Sequence, residues 1–97
     1  MHTLVISVNA EWDITDAYVW YESCRPGLGK EFQLCLENGL NQIQHNPLIF
    51  QQRYRKVRIY FIKRFPYGIH YLIEEEAVRV LGVFHTARDP QNWVDRL

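Results

Sequence analysis

A chain of 97 residues can build one hydrophobic core and is too short for a multidomain enzyme, so residues 1–97 are expected to form a single domain. Its 47% hydrophobic and 14% aromatic content against 23% charged residues excludes a disordered segment, and no run approaches the ~18 consecutive apolar residues of a membrane span. Eleven basic and eleven acidic side chains cancel, which argues against bulk attraction to nucleic acid or to an anionic membrane surface.

The first ten positions are polar enough to lack a secretory pattern, so a cytoplasmic location is expected. Within them, Thr3 to Val8 is rich in β-branched and aliphatic residues and reads as a short buried strand. From Ala10 the period changes. Apolar residues at Ala10, Ile14, Ala17, Tyr18 and Tyr21 share one stripe of a helix, with Asn9 as its expected N-cap and Glu11 and Asp13 at the positive end of the macrodipole. Arg25-Pro26-Gly27 ends this helix, because Pro26 forces Arg25 out of helical geometry and Gly27 tolerates a positive φ.

A second stripe, Leu28, Phe32, Cys35, Leu36, Gly39, Leu40 and Ile43, must stop near Asn46 ahead of Pro47, so residues 10–46 form a helical hairpin. Gly39 costs about 1 kcal/mol of helix propensity, which a close backbone approach to the first helix or to the sheet would offset. Cys24 and Cys35 form no metal or redox motif and read as buried thiols. Residues 47–56 lack a period and are expected to be a loop or an irregular arm. Three strands follow, Val57 to Phe65, Tyr67 to Ile73 and Ala77 to His85, separated by Pro66 and by the acidic tip Glu74-Glu75-Glu76. Asp89-Pro90 ends regular structure, and Trp93 is expected to fold back onto apolar surface.

The expected fold is therefore α+β, of order β-α-α-β-β-β, with the helical hairpin on one face of a mostly antiparallel four-stranded sheet. Charge is distributed unevenly along it. Residues 1–50 carry two basic residues against six acids, 2 − 6 = −4, and residues 51–97 carry nine against five, 9 − 5 = +4. Arg53, Arg55, Lys56, Arg58, Lys63 and Arg64 occupy a window free of Asp and Glu. They are expected to gather on the side of the sheet that the helices leave uncovered, facing an anionic or acidic partner. The alternative is a solvated basic loop balanced in space by the acidic tip.

Arg25-Pro26-Gly27-Leu28-Gly29 between the helices, Lys63-Arg64-Phe65-Pro66-Tyr67 between strands, and His85-Thr86-Ala87-Arg88-Asp89-Pro90 followed by Trp93 together resemble the RelE/ParE superfamily of toxins from bacterial type II toxin–antitoxin modules. The first two motifs look closer to the ParE side, often labelled plasmid stabilisation proteins. The resemblance spans nearly the whole chain. It implies a growth-inhibiting toxin neutralised by a cognate antitoxin that lays a helix and an extended segment over it. An acidic, amphipathic antitoxin suits apolar grooves along the hairpin together with Arg53, Arg55, Lys56 and Lys63.

The resemblance further implies one of two targets. A ParE-like toxin acts on DNA gyrase and needs no catalytic residue, only a contact surface, for which Arg88 and Trp93 near the C-terminus are candidates. A RelE-like toxin cleaves mRNA on the ribosome, which without metal needs a base, an acid and cations at the phosphate. Arg58, Arg64, His85 and Arg88 are the candidates for that chemistry, with histidine suited to proton transfer near neutral pH. Each has a plainer reading: His85 bonded to a backbone carbonyl, Arg88 paired with Asp89, Arg64 bound to loop carbonyls, Trp93 as a tail anchor. His70, between Ile69 and Tyr71, reads as a packed core histidine. A third possibility is an inactive antitoxin-binding remnant. No cofactor is expected, and the scattered histidines support no metal site.

Overall fold

In the computed structural model, which describes residues 2–87 and 91–97, the elements run β1 (Thr3–Ile6), α1 (Val8–Cys24), α2 (Leu28–His45), a single 3-10 turn (Pro47–Ile49), β2 (Gln52–Tyr54), β3 (Val57–Phe61), β4 (Tyr67–Glu74), β5 (Ala77–His85) and a short α3 (Gln91–Val94). The strands make one sheet of order β1-β5-β4-β3-β2, with β1 parallel to β5 and the remaining pairs antiparallel. The α+β architecture agrees with the expectation, but the strands number five. The added β2 is three residues long and turns into β3 through Arg55, whose φ is 50°. A strand this short carries no readable period, and a left-handed arginine gives no turn signal of the kind Gly or Asn provides.

Helix boundaries follow the local chemistry. The expected Asn9 cap is replaced by Ser7, whose hydroxyl accepts from the Ala10 amide at 3.1 Å, so α1 starts at Val8 and β1 is shorter than expected. Arg25 is extended and Gly27 sits at φ 89°, which sets the reversal between the helices. Gly39 is the predicted close approach, made against the sheet: a Cβ there would lie 2.6 Å from the Tyr60 ring and 3.1 Å from Ile69. Neither cysteine is fully buried; Cys24 is exposed and Cys35 half-buried, because both fall at the margin of the helical stripe.

The main core lies between helices and sheet. Ala10, Ala17, Phe32, Leu36 and Ile43 meet Tyr60, Ile62, Ile69, Tyr71, Val78, Val80 and Val83. An irregularity opposite His70 and Tyr71 shifts the parity of β5 around Leu81. The opposite face of the sheet was expected to be open and to gather the basic window, but it is largely covered, with its Phe61 end left half-exposed under the Arg53 guanidinium. Val57, Ile59, His70, Leu81 and Phe84 are all at or below 5% exposure, and Trp93 of α3 packs on this face, 4.7 Å from the His70 ring and 6.3 Å from the Phe84 ring between centroids. The chain's C-terminal residues supply this second cover.

Candidate functional site

The basic window divides into two groups at opposite ends of β3. On β2 and its turn, Arg53, Arg55 and Lys56 are exposed, and the Arg53 guanidinium reaches along the sheet to the half-exposed ring of Phe61, 5.3 Å from its centre. Arg58 is only partly accessible. Its Nη1 donates to the Phe50 carbonyl at 2.6 Å and the Leu48 carbonyl at 3.2 Å, so the guanidinium ties the arm after α2 to the sheet. At the other end, β3 stops at Phe61, and residues 62–66 form the turn into β4, closed by the Ile62 amide on the Tyr67 carbonyl at 2.9 Å. Arg64 there has φ 74° and donates to Glu31 of α2 at 2.7 Å; Arg25 donates to the same carboxylate at 3.0 Å. The hydrogen bond from Arg64 holds the Glu31 carboxyl below its ordinary range, and the same bond raises the Arg64 guanidinium.

Two apolar depressions lie on the helical hairpin, the second of them beside the basic turn. One, of about 370 Å³, runs between the helices, where Ile6, Ile14, Leu36 and Leu40 meet Thr15 and Glu37, and has no basic residue in its lining among the described residues. The second, of about 330 Å³, lies on α2 beside the turn, where Leu34, Cys35 and Asn38 meet Lys63, Arg64 and Glu31. A cationic rim beside apolar carbon is what an acidic amphipathic segment fits, since apolar packing and charge then act together.

The groups that RNA cleavage would require do not converge. Arg58 pairs across the sheet with Tyr71, and His85 pairs with Tyr67. Those partners are four residues apart on β4, roughly 13 Å at strand rise, and Arg58 and His85 lie on opposite flanks of β4. The Nδ1 of His85 accepts from the Ala87 amide at 3.0 Å, and its ring meets the Tyr67 ring at 5.2 Å. Trp20, Tyr67, His85 and Ala87 line an open depression of about 440 Å³. Arg64 is held toward α2 by Glu31, while Arg88 falls outside the described residues.

Trp93 is half-buried against Tyr54, His70 and Phe84. Beside it Arg96 makes a forked ion pair with Asp13 of α1 at 2.9 and 3.0 Å, donates to the Leu81 carbonyl at 3.1 Å, and covers the Phe84 ring at 4.8 Å. Asp13 also accepts from the Val83 amide at 3.0 Å. That bond is needed because β1 ends opposite Val80 and leaves the following stretch of β5 without a strand partner on this edge. His70 is 1% exposed, its Nδ1 bonded to the Tyr54 hydroxyl at 2.8 Å. Burial, with a smaller contribution from Arg96, pushes its pKa down to about 4. Sequence reasoning missed the Asp13–Arg96 clamp, since a contact between the first helix and the last residues leaves no local pattern. It also missed the outward-facing Trp12 and Trp20, although apolar residues on every side of α1 were a usable signal.

A helical hairpin on a mixed sheet, with a basic turn against the second helix, defines a small α+β protein with cationic and apolar side chains side by side on its surface. The family model for the ParE toxin of type II toxin–antitoxin systems, parDE, matches residues 4–90, and the chain belongs to that family. A solved structure titled "Chromosomal ParDE TA system from P. aeruginosa" superposes with a TM-score of 0.77 at 16% identity, covering 88% of this chain and 96% of that one. This likeness concerns the fold. No curated protein matches the chain. Among the described residues no helix is long and apolar enough to cross a membrane, and no cluster of three or more His, Cys, Asp or Glu could hold a metal ion.

Proposed function

We propose that the chain is a cytoplasmic toxin that inhibits growth by acting on DNA gyrase and is neutralised by a cognate antitoxin. Family membership supports the toxin class. The observation that favours gyrase over mRNA is the scatter of the ionisable candidates: Arg58 is committed to two carbonyls and Arg64 to Glu31, with Arg58 and His85 on opposite flanks of β4. An inhibitor that traps another enzyme needs a surface and no such convergence. The antitoxin, in this reading, lays an acidic amphipathic helix along the depression on α2, whose rim carries Lys63 and Arg64. Its extended part runs between Lys63 and the Arg53, Arg55 and Lys56 corner.

Expression of the full chain without antitoxin is the test. The expected outcome is growth arrest with filamentation and a DNA-damage response while protein synthesis continues. Halted protein synthesis with cut mRNA would replace the gyrase reading by ribosome-dependent RNA cleavage. Unimpaired growth would leave an inactive antitoxin-binding remnant.

A further inference from the structure

The outer face of α1 is apolar where a surface helix should be polar. Val8, Trp12 and Val19 are 69%, 64% and 59% exposed. With Thr15 they follow spacings of four, three and four residues, which places them on one stripe directly opposite the buried Ala10 and Ala17. Trp20, 63% exposed, extends the patch toward β4 and the His85 end of β5. Exposed tryptophans in a cluster mark binding surfaces, because Trp combines large apolar area with few rotamers and dominates interface energetics.

Charge identifies what can cover this patch. The helix contains four acids, Glu11, Asp13, Asp16 and Glu22, and no basic residue. Asp13 is taken by Arg96, and Glu22 accepts from the Gly27 and Gly29 amides. Glu11 and Asp16 make no ion pair among the described residues and flank the stripe. A second copy of the chain is a poor occupant. Antiparallel pairing that sets Val8 on its mate's Val19 turns the Glu11 flank of one helix toward the Glu11 flank of the other, and likewise the Asp16 flanks, which brings like charges together along both edges. An acidic antitoxin segment is disfavoured for the same reason.

We propose that the outer face of α1 docks a segment of the toxin's target that is apolar at its centre and flanked by lysine or arginine, on a side of the molecule separate from the antitoxin's basic rim. The proposal rests on the toxin reading for the identity of the occupant. The chemistry of the surface stands on Val8, Trp12, Val19, Glu11 and Asp16 alone.

Two measurements on the full chain test it. In the first, a short synthetic helix of leucine and lysine is titrated against the protein, with its leucine–glutamate counterpart as control, following indole emission and heat of binding. The lysine peptide should bind with a blue shift, the glutamate peptide should not, and Trp12→Ala or Val19→Lys should weaken binding at least about tenfold. Equal binding of both peptides, binding of neither, or unchanged binding by both variants overturns the proposal. In the second, the same variants are expressed without antitoxin and assayed for antitoxin affinity. They should lose growth arrest while antitoxin affinity stays within about twofold, since both side chains lie off that interface. Variants that arrest growth like the wild type overturn the assignment to the target, and a parallel loss of antitoxin affinity reassigns the face to the antitoxin. Wild-type protein that leaves growth untouched overturns the toxin reading itself, and the peptide titration then decides the docking surface on its own.

Discussion

Arg96→Ala should loosen the second cover of the sheet. The substitution removes both arms of the fork to Asp13, the bond to the Leu81 carbonyl and the guanidinium over Phe84. It leaves the Asp13 carboxylate, whose side chain is only 10% exposed, with the Val83 amide as its remaining donor. Breaking a fully buried ion pair costs about 3–5 kcal/mol and a charge-assisted hydrogen bond about 1.5–3. Because Arg96 is 22% exposed, water compensates in part, and a loss of about 2–3 kcal/mol is expected. For a chain of this length that lowers the thermal midpoint by roughly 10–20 °C. Thermal melts by circular dichroism read the global effect, and a red shift of Trp93 emission, isolated in a Trp12→Phe/Trp20→Phe background, reads release of the tail. Arg96→Lys keeps the charge without the planar fork and should recover less than half of the loss. An Arg96→Ala protein that melts within about 2 °C of the wild type with unchanged Trp93 emission would refute the clamp.

The pH dependence of stability should carry the signature of His70. Its folded pKa of about 4 lies below the ordinary 6.5, so the unfolded chain binds the extra proton between those values. Stability is then full above pH 6.5 and declines toward pH 4, by about 3 kcal/mol at the acid end. Urea titrations from pH 7 to 4 should show this slope and its flattening in His70→Phe; an unchanged slope in that variant would assign the effect to other groups. Gly39→Ala gains about 1 kcal/mol of helix propensity but drives a methyl into the ring of Tyr60, which is 5% exposed, packed at 5.0 Å on Phe50 and bonded to Gln42 at 3.2 Å. Overpacking of this kind costs about 1–3 kcal/mol, so the denaturation midpoint should fall, and a rise would mean the ring has room to move.

What the sequence made legible was local. The stripes of the two helices, the Pro26-Gly27 reversal, the stop at Asn46 and the three long strands all follow from patterns a few residues wide. Strand β2 was hidden because three residues carry no period. The second cover was hidden because nothing near Trp93 states which face of the sheet it reaches. Two-residue alternation from Val57 to Ile62 puts Tyr60 and Ile62 on the helix side of the sheet and Val57 and Ile59 on the other. What it could not supply was that both sides are occupied, and this changed the expected site. With the open face filled by Trp93, the cations were left at the sheet's margins, and Arg58 was turned under the arm that follows α2.

The charge imbalance along the chain becomes a division of faces in three dimensions. The acidic half contributes α1, whose carboxylates have no basic neighbour on the same helix. The basic half contributes the β2–β3 corner and the turn beside α2. Within the negative half, Asp13 is paired with Arg96 of the positive half, and Glu31 is turned toward the basic turn, where Arg25 and Arg64 hold it. Neutralising that acid leaves Lys63 as the unpaired cation on the rim of the α2 depression among the described residues, while Glu11 and Asp16 stay unpaired around the α1 stripe. A protein of zero net charge can in this way present opposite signs to two partners, each beside exposed apolar carbon. Screening should then weaken both contacts in the same direction as salt is added. Charge reversal separates them: Lys63→Glu acts on the antitoxin side and Asp16→Lys on the α1 side, with each leaving the other contact intact.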